Sequence, residues 1–314
     1  RQRAAVKTKK SGGYAMAITS EYFFPSSDGK TLIHVNQWTP SGQDIVGVVQ
    51  IAHGVAEYGA RYAPFAQFLC GHGFVVVAND HLGHGQSLIE GAPMVYFGEE
   101  DGWQHVVDDI EELRRRTAKV FPDKPYFLFG HSMGSFLSRT HLIRYPGRLS
   151  GCILCGTGHQ SAPIIAGGKL VANHEIKRLG KIAYSAKADD LAFGAYNKAF
   201  SPTRTRFDWV SANEANVDAY IADPLCGGDT TLGLFRDMLD GLSCITRQSN
   251  INRMDKNLPV FFIAGDQDPV GGMGKGVQKA CGCFKKAGLR DVSIKLYHGQ
   301  ILVHPVDVGL SGNA

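Results

Sequence analysis

The segment that most constrains the fold is a serine flanked by glycines, set between a strand-like run and a helix-like run. Gly130-His131-Ser132-Met133-Gly134 follows the apolar run Tyr126–Phe129 and precedes the helical pattern Ser135–Arg144. A G-x-S-x-G sequence in this context is typical of a strained strand-to-helix turn that projects the serine hydroxyl above a sheet. The flanking glycines let neighbouring backbone approach without a Cβ clash. The pattern predicts a serine nucleophile on an α/β sheet, with an ordinary tight turn as the alternative.

Short apolar runs recur along the chain, with helical segments between them. Runs of this kind are typical of strands buried on both faces of a mainly parallel sheet. The segment Asp101–Phe121 has apolar residues at helical spacing and Asp101 as a candidate N-cap, which predicts an amphipathic crossover helix. The alternation predicts a doubly wound α/β fold with a mostly parallel eight-stranded sheet. The first predicted strand begins at Met16. The other seven are Thr31–Gln37, Gly47–Ala52, Phe74–Ala78, Tyr126–Phe129, Gly151–Cys155, Pro259–Ala264 and Val292–Tyr297.

This alternation stops between about His159 and Arg247, where the chain is helical and rich in aromatic residues. A structureless loop of that length is improbable in a compact domain, so we predict an inserted helical lid. Its aromatic side chains either line a pocket or form the core of the lid itself. The predicted organisation is a non-native basic extension at 1–15, a doubly wound α/β core at 16–158 and 248–314, and the lid insertion at 159–247.

The charge of the chain argues against a nucleic-acid partner. Residues 1–15 contain five basic residues and no acidic one, so the formal net charge of +4 leaves −1 for the rest. Nucleic-acid binding normally requires a basic face within the folded domain, whereas a near-neutral body favours an uncharged or apolar substrate. Seven cysteines in scattered apolar contexts, with no spanning apolar run and no signal-peptide core, predict a reduced, cytoplasmic protein. Membrane contact would be at most transient.

A serine nucleophile requires a base oriented by a carboxylate, in the chain order Ser, Asp, His for this kind of turn. Asp268 follows the predicted strand Pro259–Ala264 and is the preferred acid over Asp266, which is expected to shape the turn. The oxyanion would be stabilised by the backbone N–H groups of Met133 and of Val55. His53 precedes the serine in the chain and is expected to be a hydrogen-bonding residue that shapes its loop.

Several motifs in the same order resemble those of the monoacylglycerol lipase and lysophospholipase-like branch of the α/β-hydrolases. They are His53-Gly54-Val55-Ala56-Glu57-Tyr58-Gly59-Ala60-Arg61-Tyr62, Asp80-His81-Leu82-Gly83-His84-Gly85-Gln86-Ser87 and Gly130-His131-Ser132-Met133-Gly134, with further likeness at Trp209–Pro224 and Gly265–Val270. The resemblance implies hydrolysis of monoacylglycerol-like lipids or short acyl esters, without a metal or organic cofactor. It also implies that the lid lines an acyl-chain pocket, for which the candidate residues are Phe193, Tyr196, Phe200 and Trp209.

The resemblance fails after the last predicted strand, where the family pattern is Tyr-x-Gly-x-x-His-Glu. Tyr297-His298-Gly299 agrees with it, but Leu302 occupies the position of the base histidine. The candidates for the base are His304, two residues later, His298, or no histidine at all. The sequence therefore predicts a serine esterase with Ser132, Asp268 and His304. A catalytically impaired ester- or lipid-binding protein is the alternative, and within enzymes an acyltransferase or a C–C bond hydrolase would share this triad.

Overall fold

A computed structural model describes residues 17–301, which contain one eight-stranded sheet flanked by helices. The order across the sheet is β1-β2-β4-β3-β5-β6-β7-β8. β2 pairs antiparallel with β1 and β4, and the other neighbouring pairs are parallel. The strands are β1 (Ala17–Pro25), β2 (Leu32–Pro40), β3 (Gly47–Ala52), β4 (Phe74–Asn79), β5 (Tyr126–His131), β6 (Gly151–Cys155), β7 (Val260–Gly265) and β8 (Val292–Tyr297). This topology confirms the predicted mostly parallel α/β fold.

Four longer helices outside the predicted insertion follow the strands, as the alternation predicts. They are α1 (Ala63–Gly71), α2 (Gly102–Val120), α3 (Met133–Arg144) and α10 (Lys275–Lys286). A single 3-10 turn at Gly59–Tyr62 precedes α1. Within the described residues, no helix is both long enough and apolar enough to cross a membrane.

The sheet is buried on both faces. Successive side chains of its central strands point to opposite sides, so each strand contributes to two cores. In β4, Val77 belongs to the larger core, whereas Val76 and Ala78 belong to a second core on the other face. The second core also contains Tyr62 and Ala66, from the turn before α1 and from α1 itself. Continuous apolar strands are therefore explained by two-sided burial, as expected for parallel strands covered by helices.

The helix predicted from Asp101 is present, and Asp101 is its N-cap residue, but the Asp101 side chain does not cap it. Asp101 is in the left-handed region, at φ 50° and ψ 26°, and its side chain forms no cap hydrogen bond. A capping side chain reaches the first-turn N–H groups from an extended backbone, which Asp101 does not have. It begins the helix through its carbonyl instead, which accepts from His105 N–H at 3.0 Å.

The segment between β6 and β7 is helical throughout most of its length. It contains α4 (Ala162–Leu179), α5 (Ala186–Asp189), a π-helical turn at Asp190–Gly194, α6 (Ala195–Lys198), α7 (Glu214–Ala222), α8 (Leu232–Thr246) and α9 (Gln248–Ile251). Leu234 and Ile245 of α8 are fully buried in the larger core. The role of this segment as a lid, and the domain boundaries drawn from it, remain predictions. The predicted extension at 1–15, Met16 and His304 lie outside the described residues.

Candidate active site

Ser132 lies at a sharp turn between β5 and α3. Its backbone is at φ 50° and ψ −120°, a conformation that non-glycine residues rarely adopt and that needs support from its surroundings. The Ser132 N–H donates to the Cys155 carbonyl at 2.9 Å. The Ser132 carbonyl accepts from the Ser135 N–H at 2.8 Å and from Ser135 Oγ at 2.6 Å. These bonds hold the serine above the carboxyl edge of the sheet.

The glycines on either side of this turn are sites of very close backbone approach. A Cβ on Gly134 would overlap the carbonyl oxygen of Ala52, and one on Gly130 would overlap Ser138 Oγ and the Gly134 carbonyl. The serine turn therefore packs directly against the end of β3. The contact with β3 explains the glycine at 134, and the contacts with the first turn of α3 explain the glycine at 130.

We expect Gly134→Ala to destabilise the fold and to abolish most of the activity of this chain. The added methyl meets backbone rather than a side chain, so the end of β3 must move, and overpacking of this kind costs about 1–3 kcal/mol or more. Urea denaturation and esterase assays of the variant measure the two effects. Gly167→Ala is the matched control, because a Cβ on Gly167 meets nothing within 4 Å. Wild-type stability in Gly134→Ala would contradict the packing described here.

The loop from His53 to Glu57 lies beside the serine. A Cβ placed on Gly54 would lie 3.4 Å from Ser132 Cβ, and Val55 lines the same cavities as Ser132. Buried Glu57 fixes this loop, since its Oε1 accepts from Gly54 N–H at 2.6 Å and from the Tyr62 hydroxyl at 2.8 Å. Of the two predicted oxyanion residues, Val55 thus lies beside the serine in both cavity linings and Met133 directly follows the serine at the start of α3.

His53, at the start of this loop, packs against two further buried histidines. The His53 ring centroid is 4.0 Å from that of His81 and 5.4 Å from that of His84. His53 Nδ1 is 2.7 Å from the Gly54 carbonyl oxygen, and its Nε2 accepts from the His81 N–H at 2.9 Å. Burial lowers the pKa of all three imidazoles, and that of His84 falls to about 3. His53 therefore shapes its loop as a neutral hydrogen-bonding residue, as the sequence predicted.

We expect these histidines to make the free energy of unfolding fall as the pH drops below about 6.5, the ordinary pKa of histidine. Below that pH the unfolded chain takes up protons that the folded rings do not, so stability is lost from there down to the folded pKa values. Each ring contributes up to about 1.4 kcal/mol per pH unit. Denaturant titrations at a series of pH values should show a shallower pH dependence in His84→Gln. Exposed His174 supplies the control His174→Gln. An unchanged pH dependence in His84→Gln would argue against this account.

Asp268, the predicted acid, is fully buried after β7. Its Oδ1 accepts from the Val270 N–H at 2.8 Å, whereas its Oδ2 has no hydrogen-bond partner among residues 17–301. Burial raises the pKa of Asp268 to about 6, although the N–H groups of Val270 and Gly271 act in the opposite direction. A buried carboxylate oxygen without a donor is costly, and its position is open to one further partner.

His298 lies apart from this acid. Its side chain is 96% exposed, and its Nδ1 is 2.7 Å from Oδ2 of Asp266. His298 and the Gly299 N–H together lower the pKa of Asp266. Asp266, in the acid turn after β7, thus holds the turn after β8, and the structure brings His298 to Asp266 rather than to Asp268 or Ser132.

The residues that replace the family pattern fold back over the end of β7. Gln300 and Ile301 lie so close to Gly265 that a Cβ there would overlap both of their carbonyl oxygens. The Gln267 N–H donates to the Gln300 carbonyl at 3.0 Å, and the Ile301 side chain is buried in the larger core. The described chain therefore ends beside the acid turn, three residues before His304.

Two cavities of different character meet at Ser132. The first, here called the polar cavity, combines the charged and amide side chains of Glu57, Arg61, Asp189, Asn197 and Arg206 with aromatic ones such as Phe207 and Tyr220. The apolar cavity is lined by Met133, Phe136, Gly168, Met238, Leu239 and Leu242, among others. Val55, Ser132, Phe193 and Trp209 line both. Ser132 therefore borders one apolar cavity and one cavity in which charged and polar side chains lie among aromatic ones.

Three of the four predicted lid aromatics surround this junction. Phe193 and Trp209 are stacked with centroids 6.1 Å apart, and Tyr196 lies 5.2 Å from Trp209. Tyr196 lines the apolar cavity. Phe200 lines neither cavity and instead packs, partly buried, against the larger core.

Sequence reasoning did not single out His159, which also lines the apolar cavity. It follows β6, whose carboxyl end lies between the serine turn and the acid turn, and that position was its only sequence signal. Burial, with Arg139 and Lys279, lowers the pKa of His159 to about 4. Residues 17–301 contain no group of three or more His, Cys, Asp or Glu side chains that could hold a metal ion.

Comparison with known proteins assigns this architecture to a family. The family described as Hydrolase_4, serine aminopeptidase S33, matches residues 43–304. The chain belongs to this family. The monoacylglycerol lipase of Mycolicibacterium smegmatis is 30% identical to it over 295 residues, covering 91% of this chain and 90% of that protein. Human monoglyceride lipase is 30% identical over 238 residues, covering 76% and 69% of the two chains.

Solved structures agree with this assignment to the α/β-hydrolases. A thermostable carboxyl esterase from Bacillus coagulans, solved with glycerol, is 28% identical with a TM-score of 0.83, covering 90% of each chain. A structure described as a lipase in its open form is 26% identical with a TM-score of 0.82, covering 90% of this chain and 91% of that one. The chain is thus an α/β-hydrolase of the monoacylglycerol lipase-like branch, a carboxylic-ester hydrolase, which confirms the resemblance seen in its motifs.

Proposed function

We propose that this α/β-hydrolase cleaves monoacylglycerol-like lipids or short acyl esters through an acyl-enzyme on Ser132. The observation that carries the proposal is the position of Ser132 where an apolar and a polar cavity meet. An ester of a fatty acid has an apolar acyl part and a polar alcohol part on either side of one carbonyl group. The two cavities match those two parts, with the carbonyl group beside the serine.

The chemistry follows from the groups around the carbonyl. Ser132 Oγ attacks the carbonyl carbon while a histidine accepts its proton, and the N–H groups of Val55 and Met133 stabilise the oxyanion. The alcohol leaves with that proton toward the polar cavity. Water then attacks the acyl-enzyme by the same route and releases the fatty acid. Each methylene buried in the apolar cavity contributes about 0.8 kcal/mol to binding.

We assign the base to His304 and the orienting acid to Asp268. Two features support the assignment: Asp268 Oδ2 lacks a partner, and the chain at Ile301 lies beside the acid turn. Three residues span at most about 10 Å when extended, so His304 is within reach of this turn. The family match also extends through residue 304. A histidine whose Nδ1–H donates to Asp268 Oδ2 would satisfy that oxygen and be oriented to accept the serine proton on its Nε2.

We expect Gly168→Leu to shorten the acyl chain that the enzyme accepts. Gly168 is buried at the wall of the apolar cavity, where its Cβ would lie 3.1 Å from Leu239. A leucine there would fill the space needed by distal methylenes, so kcat/KM should fall for octanoyl and longer esters but remain close to wild type for acetyl and butyryl esters. Gly167→Leu is the matched control, because Gly167 is exposed and adjacent on the same helix. Equal chain-length profiles in the two variants would count against the apolar cavity as the acyl site.

The function itself is tested by product analysis with purified full-length chain. Monoacylglycerols and p-nitrophenyl esters should release free fatty acid. With an added alcohol, the amount of new ester should not exceed that formed without the enzyme. Aminoacyl naphthylamides and a diketone panel serve as comparison substrates for peptidase and C–C hydrolase activity. Cleavage of either panel without ester cleavage would contradict the proposal, as would binding of esters without turnover.

A further inference from the structure

Another cavity, separate from the two at Ser132, lies on the far side of the wall formed by His159 and Gln160. Its volume is about 540 Å³, and its lining comes from the loop after β6, the start of α4, the end of α8 and α10. His159 and Gln160 line both this cavity and the apolar cavity beside Ser132. The polar residues of this basic cavity are His159, Gln160, Ser161, Ser243 and Thr246, with the cations Lys169, Arg247 and Lys279.

The charged side chains that line the basic cavity are all cationic. Lys169 is paired with Asp240, with Nζ and Oδ1 2.6 Å apart, but Asp240 is not part of the lining. Arg247 and Lys279 form no ion pair with any residue from 17 to 301. Cations converging on a concave surface without a carboxylate create a positive potential that attracts an anion.

A buried cation beneath the cavity adds to this potential. Arg139 of α3 is fully buried, and no carboxylate among the described residues contacts it. Its guanidinium donates to the Gly158 carbonyl at 2.7 Å and to the Ile245 carbonyl at 3.1 Å, while its Nε has no partner within residues 17–301. Gly158 and Ile245 directly precede lining residues His159 and Thr246. A buried charge without a counter-ion is costly, so this arrangement favours an anion nearby.

The remaining polar groups suit an oxyanion. His159 Nδ1 is buried without a hydrogen-bond partner in the described part of the chain. A neutral imidazole can carry its proton on that nitrogen and donate it to an anionic oxygen. The first turn of the 18-residue helix α4 also faces this region, contains no acidic residue and has no side-chain cap hydrogen bond. Its free N–H groups and helix dipole favour negative charge.

We propose that the basic cavity binds the oxyanion group of a ligand, a phosphate or phosphate ester, at Arg247, Lys279 and His159. The site is separate from the chemistry at Ser132 and does not depend on the proposed function. Because the two cavities share the wall His159–Gln160, the anion is either a free ion or the headgroup of a lipid whose tail extends along that wall. The shared chemistry is recognition of a phosphate group by cations.

Binding is tested on full-length chain carrying Ser132→Ala, so that the result does not depend on ester turnover. The thermal unfolding midpoint is measured against inorganic phosphate, with sodium chloride at equal ionic strength as the reference, and separately against dodecyl phosphate below its micellar concentration. A ligand that binds only the folded chain raises the midpoint with a saturable concentration dependence. We expect such a rise with at least one of the two probes.

The double variant Arg247→Gln, Lys279→Gln should weaken that binding by about tenfold for each cation removed, as for a charge-assisted hydrogen bond. Lys285→Gln, Lys286→Gln is the matched control, because it removes the same charge from the last turn of α10, outside the cavity lining. Circular dichroism of each variant verifies that it is folded before titration.

Three outcomes distinguish the possibilities. Saturable stabilisation by inorganic phosphate that the Arg247/Lys279 variant loses supports a free-anion site. Stabilisation by dodecyl phosphate alone, lost in the same variant, supports a lipid headgroup site. No stabilisation by either probe, or equal stabilisation of both double variants, overturns the proposal.

Discussion

Replacing Ser132 with alanine is expected to lower kcat for ester hydrolysis by about six orders of magnitude, as loss of the nucleophile does in other serine hydrolases. The expectation follows from the strained turn that presents Ser132 to both cavities. KM should change little, because the acyl and alcohol parts still contact unaltered walls. Residual hydrolysis would reflect binding and the oxyanion hole alone. Steady-state assays with p-nitrophenyl butyrate measure the loss.

The matched control is Ser135→Ala, which removes a buried hydroxyl one turn further along α3. Ser135 Oγ donates to the Ser132 carbonyl but lines neither cavity. Loss of one neutral hydrogen bond costs about 1 kcal/mol, so its effect on kcat should be roughly tenfold or less. Comparable rates for Ser132→Ala and Ser135→Ala would show that Ser132 is not the nucleophile.

The second large effect is expected for His304→Ala. Loss of the base should lower kcat about as much as loss of the serine, since the two residues act as one unit. His298→Ala should lower it only a few-fold, because the His298 side chain is exposed and paired with Asp266. The two substitutions remove the same side chain at positions six residues apart, which makes each a control for the other.

The pH dependence of the two histidine variants gives an independent readout. Wild-type kcat/KM should rise with pH through the pKa of the base in the free enzyme. His298→Ala should preserve that rise, and imidazole added to His304→Ala should restore part of the activity. Loss of activity in His298→Ala with full activity in His304→Ala would reverse the assignment. Full activity in both would exclude a histidine base at either position.

The sheet could be predicted from the sequence because two-sided burial leaves a clear mark on each strand. Gly47–Ala52 and Gly151–Cys155 are observed with the predicted bounds, and Val292–Tyr297 likewise. The serine turn was also predictable, since its glycines are required by the close approach of the Ala52 backbone to Gly134 and of Ser138 Oγ to Gly130. The helix after it begins at Met133, two residues earlier than predicted, because Ser132 itself absorbs the whole change of direction.

Features that depend on distant contacts could not be read from local patterns. The absence of a side-chain capping bond at the start of α2 could not be predicted, because helical spacing does not report the left-handed backbone of Asp101. The pairing of His298 with Asp266 depends on how the turn after β8 folds across β7. The basic cavity joins residues from three separate stretches of the chain, so no single stretch predicts it. Spacing predicted the elements, and tertiary packing determined which side chains meet.

The most direct test of the central claim is to trap the acyl-enzyme. Full-length chain is mixed rapidly with p-nitrophenyl butyrate, quenched in acid before the steady state, digested and analysed by peptide mass spectrometry. We predict a burst of about one p-nitrophenol per active chain and a butyryl group on the peptide that contains Ser132. Turnover of the ester with no acyl adduct, or with the adduct confined to a residue other than Ser132, would contradict the account.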